Sequence, residues 1–399
     1  MAKKIAVIGG GASGLAASIE AKYESPESCV VVFERMKNLG KKILATGNGR
    51  CNFTNENLSP KHFYGDSDFL RKVLVSSFAD TENFFYSLGV LPYREDGRVY
   101  PRSQQSATVR DTLVSAAEML GVIFKTECEI SGIKKSDNKF LIDGDFFDSV
   151  IICGGGKSGE VHGSNGSAYK LLESFGHRLT PLYPALCGLL YDDKSLSFLK
   201  GVRAECNATL YSGSSVLGNE EGEVQFTDKG ISGIPIMNLS HLCENKKNLS
   251  VSLDLVPEVS ETELTEHLNI LIGKCGENEV ETALNGIVNM KLVYGVMKRC
   301  FIKPHTFFSD LKRSQIESIV KTLKDFTIDI KGTRPFSDSQ VTKGGIDTKD
   351  FDPTTMMSNL ETGVFACGEV LNIHGDCGGY NLHLAFTTGR IAGHNAVKE

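Results

Sequence analysis

The chain has 399 residues, 41% of them hydrophobic, and a formal net charge of −6 at pH 7. That length and apolar content support a large core divided between two or more domains, and exclude a small stapled scaffold. The acidic balance gives no general attraction to phosphate backbones or anionic lipid, so neither nucleic acid nor a membrane is an expected partner. Eleven cysteines without a C-x-x-C pair argue against a zinc ribbon, a thioredoxin-type redox pair and a secreted disulfide framework. Four apolar residues before the first glycine are too few for a signal-peptide core. No apolar run approaches ~18 residues, so a cytoplasmic protein without a transmembrane span is expected.

In chain order, Ile5-Ala6-Val7-Ile8 reads as a buried strand running into Gly9-Gly10-Gly11-Ala12-Ser13-Gly14 and then a helix, Leu15 to Ala21. Cys29 to Phe33 reads as a second parallel strand, ending at Glu34, twenty positions after Gly14. This is a dinucleotide-binding unit: Gly9 permits the turn, Gly11 lets backbone approach a pyrophosphate, and Gly14 lets helix pack on strand. The helix amides and positive dipole end face the phosphates, and Glu34 accepts hydrogen bonds from a ribose diol. The glycines alone do not choose between NAD and FAD.

Ala107 to Leu120 has helical spacing, and Gly121 to Phe124 reads as a strand. Ile130 to Lys134, Lys139 to Ile142 and Ser149 to Cys153 follow, a small antiparallel meander inserted before a returning parallel strand. After about Leu190 the composition shifts. Residues 201–227 predict short strands separated by Ser212-Gly213-Ser214 and Asn219-Glu220-Glu221-Gly222. Glu261 to Ile272, Val280 to Cys300 and Asp310 to Phe326 predict helices. Val364 to Glu369 reads as an apolar strand ending in an acid, and Asn381 to Val397 as a helix opening after Gly378-Gly379. The expected domains are residues 1–188 and 341–399, forming one unit, and an insert at 189–340, sheet-rich over 189–255 and helical over 256–325.

Beyond the first unit, paired glycines before Asn381 and Leu382 present unpaired helix N–H groups able to hold an anion or a polarised carbonyl. Gly154 to Gly159 repeats the G-x-G-x-x-G text, but glycine-rich polar residues follow it instead of a helix, so it reads as a loop near the first cofactor. In the Gly47 to Asn55 loop, Arg50 suits a phosphate and Asn52 a ring carbonyl. Cys51 reads as a packed cysteine, with no resolving partner nearby. The nine histidines form no H-x-x-x-H or H-E-x-x-H pattern and no serine lies in G-x-S-x-G. No metal site is expected, and the cofactor must supply the reactive atom. Tyr211, Tyr294 and His305 are not distinguished as acids, so no catalytic residue is assigned.

The Ala45 to Asn55 text, Gly163-Ser164-Asn165-Gly166, Phe226 to Gly233, Val341 to Gly345, and Gly368-Glu369-Val370-Leu371 with Gly378 to Asn381 resemble the BaiN-like flavoproteins, in that family's order and over nearly the whole chain. The group includes bile-acid dehydro-reductases and aminoacetone oxidases. The resemblance implies an α/β fold: a glutathione-reductase-type FAD-binding Rossmann domain built from both chain ends, interrupted by a β-barrel-like and helical insert. It implies FAD held by Gly9, Gly11 and Gly14 at the pyrophosphate, Glu34 at the adenosine ribose and the backbone of Ile130 at the adenine. Thr46, Gly47, Arg50, Cys51 and Asn52 would line the flavin side, Gly368 and Glu369 would meet the ribityl or phosphate portion, and Asn381 and Leu382 would cap the isoalloxazine edge. Ala12, Ser13, Arg35, Lys42, Gly49, Cys153, Gly154, Gly155 and Gly379 complete the implied set. Asn372 and His374 stand where many relatives carry an acid.

The expected function is that of a cytoplasmic FAD-dependent oxidoreductase in which NAD(P)H, as a transient donor, drives reduction of a conjugated C=C in an apolar enone through flavin N5. The acceptor is expected between the FAD domain and the insert. An FAD-dependent amine oxidase of aminoacetone type producing hydrogen peroxide, and a non-catalytic flavin-bound scaffold, are the alternatives. The expected partner is a small-molecule substrate; oligomeric state is not read from the sequence.

Overall fold

The structure is a computed structural model and describes residues 2–398. It divides into two units, Met1–Tyr183 with Ser339–Glu399, and Pro184–Asp338. The boundaries fall a few residues from the expected 188 and 340, because Leu189–Leu190, at the expected first junction, is already a strand of the second unit's sheet.

The first unit is built on a five-stranded sheet in the order Val364–Ala366, Ser149–Ile152, Lys4–Ile8 (β1), Cys29–Phe33 (β2) and Ile123–Lys125, all parallel. Its central strands are apolar almost without interruption, and Ile5, Ala6, Val7, Val150, Ile151 and Ile152 are fully buried. Such runs belong to parallel strands covered on both faces, where an alternating pattern would bury polar residues. Helix α1 (Ala12–Glu24) follows β1 directly and packs on the C-terminal helix Tyr380–Ala396. The crossing is backbone on backbone: a Cβ at Gly389 would lie 2.3 Å from the Ser13 carbonyl oxygen, and one at Gly393 2.1 Å from that of Ala17. Arg390 Nε adds a 2.9 Å bond to Glu20 across the same pair. The two ends of the chain are thereby locked into one domain.

The antiparallel meander is present at Lys134–Ser136, Lys139–Ile142 and Asp145–Phe147. Its first strand starts at Lys134, where the sequence suggested Ile130 to Lys134. Residues 125–130 instead run beside β2, with Glu34 N–H donating to the Lys125 carbonyl at 2.9 Å and Cys128 N–H to the Glu34 carbonyl at 2.9 Å. Phe147 meets Phe33 edge-on at 5.8 Å, which seats the meander on the sheet.

The second unit has a seven-stranded sheet in the order Phe326–Ile330, Leu249–Asp254, Arg203–Ser212, Ser215–Phe226, Gly230–Ser232, Leu189–Leu190 and Gly332–Thr333. Alternate residues such as Cys206, Ala208, Leu210, Val251, Leu253, Phe326 and Ile328 point into its core. The first and last strands in that order are joined by Lys331 alone, so the sheet must curl round almost to meet itself. Two expectations change here. Asn219 to Gly222 is not a turn; Ser215–Phe226 runs through it, paired residue by residue with Arg203–Ser212. Asn219 Nδ2 donates to Thr209 Oγ1 at 2.7 Å, so cross-strand bonding overrides the turn propensity. The expected Val280 to Cys300 helix is two, Val280–Leu284 and Met290–Arg299, the second started afresh by Asn289, whose side chain accepts from Lys291 N–H at 3.0 Å. Helices Ile234–Leu239, Glu261–Cys275 and Arg313–Lys324 also belong to this unit. No helix among the described residues is long and apolar enough to cross a membrane.

Candidate functional site

The glycine turn between β1 and α1 has three distinct environments. A Cβ at Gly9, whose φ is +112°, would lie 2.6 Å from the Cys153 carbonyl oxygen, and one at Gly14 only 1.9 Å from the Gly9 oxygen. These two glycines serve the fold. At Gly11 a Cβ would meet nothing within 4 Å. Gly11 is also the N-cap of α1, and no side chain caps that end, so the first-turn N–H groups of Ala12, Ser13 and Gly14 open onto the same space. Uncapped amides, a positive helix dipole and a missing Cβ together fit a pyrophosphate.

Glu34 follows β2 directly and is half-buried, with Oε2 accepting from Gly10 N–H and Oε1 from Met36 N–H, each at 2.8 Å. The carboxylate that would take a ribose diol thus also fixes the glycine turn. Arg35 turns away from this turn, with Nη1 3.3 Å from the Gly163 carbonyl oxygen and Nε 3.9 Å from Glu129. Ile130 is buried where the chain runs past Glu34.

The second glycine-rich segment is a loop. It leaves the Ser149–Ile152 strand through Cys153, whose thiol donates to the Ile8 and Gly9 carbonyls at 3.2 and 3.3 Å. Gly154 packs on Ala168, and Gly155 has φ +75°. A Cβ at Gly156 would strike Thr342 and Glu369. The strand it leaves, Ser149–Ile152, pairs with β1 in the same five-stranded sheet, and only a short turn at Glu160–His162 and the seven-residue helix Ser167–Glu173 follow, so this segment opens no second nucleotide fold. Lys42 Nζ reaches Glu369 Oε2 at 2.6 Å and the Ser158 carbonyl at 3.0 Å, while Glu369 Oε1 accepts from Thr342 N–H at 2.9 Å. This joins the early chain, the glycine loop and the C-terminal segment. Gly368, with φ +75°, comes so close to the first turn of α1 that a Cβ would lie 2.5 Å from Ser13 Oγ.

Gly47, Asn48, Gly49 and Cys51 all have positive φ, between +53° and +82°. The resulting coil packs on the start of the C-terminal helix: a Cβ at Gly379, whose φ is +100°, would lie 2.5 Å from the Thr54 carbonyl and 3.0 Å from that of Asn52. Thr46 Oγ1 is tied to the Ile43 carbonyl at 2.7 Å. Arg50 pairs with Glu95 and lies over the Tyr100 ring at 4.1 Å, so its charge is engaged within the protein. Cys51 is fully buried and burial pushes its thiol up to about 12. It is therefore a protonated packing residue at neutral pH. The whole amide of Asn381 is engaged too, Oδ1 accepting from Gly375 N–H and Nδ2 donating to the Gly375 carbonyl, both at 2.8 Å. Leu382 is half-buried beside it. The Asn381 bonds shape the turn that leaves the helix amides uncapped.

Two groups beside this turn carried no sequence signal. Asp376, buried, accepts from Tyr64 OH at 2.8 Å and bonds His62 Nδ1 at 2.9 Å, and the His62 ring stacks on Tyr380 at 4.7 Å. His383 Nδ1 lies 3.0 Å from Thr54 and 3.1 Å from Thr81; burial pushes its pKa down to about 4, which keeps it neutral. These partners are about 300 positions apart in the chain, beyond any local pattern. Of the undistinguished acids, Tyr211 and Tyr294 lie in the second unit and have no assigned partner role, whereas His305 sits against Glu279 and Glu281.

Comparison with known proteins accords with this arrangement. The profile described as the HI0933-like protein Rossmann domain matches residues 3–395. The chain is 36% identical over 405 residues to the 3-dehydro-bile acid delta(4,6)-reductase of Clostridium scindens, covering 99% of each. It is 26% identical over 403 residues to the ribosomal RNA dihydrouridine synthase of Haemophilus influenzae, covering 96% of this chain and 95% of that one. Among solved structures it resembles the 3-ketosteroid-delta4-(5alpha)-dehydrogenase of Rhodococcus jostii RHA1 in complex with 4-androstene-3,17-dione, with a TM-score of 0.51 and 15% identity, covering 100% of this chain and 97% of that one. That likeness is one of fold.

Proposed function

We propose that this chain, which belongs to the HI0933-like Rossmann family and is an FAD-dependent oxidoreductase, reduces a carbon–carbon double bond conjugated to a carbonyl in an apolar, steroid-like enone, with NAD(P)H as transient electron donor. The observation that carries this reading is the 36% identity, end to end, with a reductase named for a 3-dehydro-bile acid. Bound FAD supplies hydride exchange at flavin N5.

The chain's own part is binding and orientation. The Gly9–Gly14 turn and the amides of Ala12 and Ser13 would hold the pyrophosphate, Glu34 the ribose diol and the Ile130 backbone the adenine. The Thr46 to Asn52 coil, Gly368, Glu369, Gly379 and Leu382 would border the flavin half. The Lys42–Glu369 pair keeps these segments in register. Buried apolar walls and a protonated Cys51 leave the flavin surroundings without a competing thiolate. A small-molecule substrate in the cytoplasm follows from the same reading.

A second reading has one observation in its favour, the 26% identity to a ribosomal RNA dihydrouridine synthase. Dihydrouridine differs from uridine by reduction of a C=C conjugated to a carbonyl, so the chemistry is shared and only the substrate differs. The net charge of −6 counts against a polyanionic partner.

The test is anaerobic. FAD-loaded protein is titrated with NADPH, NADH and small amines, and the bleached form is then mixed with a 3-keto-4-ene steroid or with unmodified ribosomal RNA. Bleaching by a nicotinamide and recolouring by the steroid are expected. Recolouring by RNA alone favours the second reading, and bleaching by amines alone overturns both.

A further inference from the structure

The second unit contains a cluster unrelated to the flavin site. Among the described residues, Glu279, Glu281 and His305 each place one ligand atom within 4.8 Å of the other two. Their positions are set by backbone. Val280 N–H donates to the Thr306 carbonyl and Phe308 N–H to the Asn278 carbonyl, each at 2.9 Å, clamping the chain before helix Val280–Leu284 against the Lys303 to Phe308 turn. His305 takes φ +60°, a left-handed conformation that turns its N–H onto Glu281 Oε1 at 3.0 Å. His305 Nδ1 then lies 2.9 Å from Glu279 Oε1 and 3.8 Å from Glu281 Oε1.

A simple ion pair between His305 and Glu279 leaves one observation unexplained. Glu281 is only 4% exposed, and its Oε2 is buried with no hydrogen-bond partner. A buried carboxylate oxygen without a partner is costly, and a cation shared with its neighbours removes that cost. In a tetrahedral zinc site with bonds near 2.0–2.2 Å, ligand atoms lie about 3.3 Å apart. His305 Nδ1 lies 2.9 and 3.8 Å from the Oε1 atoms of Glu279 and Glu281, which brackets that spacing, and because Glu281 Oε1 already accepts from the His305 N–H, Oε2 of the same carboxylate is the oxygen left for an ion. Two carboxylates neutralise a divalent charge, and a neutral imidazole nitrogen suits zinc better than calcium or magnesium. His305 is 78% exposed in its side chain, which leaves the fourth position open to water.

We infer that Glu279, Glu281 and His305 bind one divalent transition-metal ion, zinc by ligand type, which ties the Lys303 to Phe308 turn to helix Val280–Leu284. This site is independent of the flavin reading. The test is equilibrium dialysis of the metal-stripped, FAD-loaded full chain against zinc chloride, with metal counted per chain, in wild type, Glu281→Gln and His305→Ala. The wild type should take up about one zinc, and each variant should bind it at least tenfold more weakly with unchanged flavin content. Zinc should raise the melting temperature of the wild type alone. Equal uptake by all three proteins would mean that zinc sits elsewhere, on thiols for example, and no uptake would mean an ion pair only; either result overturns the inference. His305→Ala is exposed enough to fold should Glu281→Gln not.

Discussion

Gly11→Ala separates the fold from cofactor binding in a single methyl group. Gly11 sits at φ −83°, ψ −164°, extended backbone that alanine adopts freely, and its Cβ would meet nothing within 4 Å. Without ligand the variant should therefore stay within about 1 kcal/mol of the wild type, the less free unfolded chain offsetting alanine's poorer fit to the N-cap of α1. With FAD, the methyl takes the space through which a pyrophosphate approaches the α1 amides. Displacing a packed group by one methyl costs about 1–3 kcal/mol, which corresponds to FAD binding weaker by about 5- to 150-fold. Gly14→Ala is the contrast, since its Cβ would lie 1.9 Å from the Gly9 oxygen and 2.9 Å from Cys153 Sγ. It should lose stability before any ligand is added. The assay is fluorescence titration of each apoprotein with FAD, alongside urea denaturation. A Gly11→Ala protein that binds FAD as the wild type does would refute the placement of the pyrophosphate.

Glu34→Ala removes the acceptor for both Gly10 and Met36 N–H groups, and retained FAD after gel filtration should fall tenfold or more; unchanged flavin content would count against the ribose role. His383 is held neutral with a pKa of about 4, below the ordinary value of 6.5, so its contribution is fully present above pH 6.5 and is lost as the pH falls towards 4. That loss, about 3 kcal/mol, should occur in the wild type and be absent from His383→Gln, so the stability difference between the two, measured by urea denaturation, should shift by that amount across the same window. Gly393→Val drives a side chain into the Ala17 carbonyl and should lower the melting temperature, while Gly273→Ala, with open space around it in helix Glu261–Cys275, should raise it slightly; equal behaviour would contradict the close helix crossing. Cys51, buried and protonated, should stay unalkylated by iodoacetamide at pH 8 in the native protein and react only after unfolding, as read by peptide mass spectrometry.

Local text carried the nucleotide unit because each of its requirements is short-range. An apolar run, glycines at fixed offsets, a helix and an acid are set by neighbours, and Cys29–Phe33 has the limits the sequence suggests. Turn propensity failed at Asn219 to Gly222 because the opposite strand supplied partners for residues that would otherwise have closed a loop. The helix over Val280 to Cys300 broke at residues 285–289 because Asn289 caps a new start, which apolar spacing does not register.

From its sequence alone this chain was bound to make a parallel sheet with an anion-binding turn, since a G-x-G-x-x-G between a strand and a helix satisfies its backbone in few other ways. Tertiary structure decided what surrounds that turn. Gly389 and Gly393 matter because α1 lies against them, Glu369 because Lys42 reaches it from the other end of the chain, and Asn381 because its amide is taken up by Gly375 and Asp376. The same holds for Glu281, whose unpartnered oxygen acquires meaning only beside His305. Contacts between distant residues are selected by packing the whole chain, and leave no periodic trace in the segments that make them.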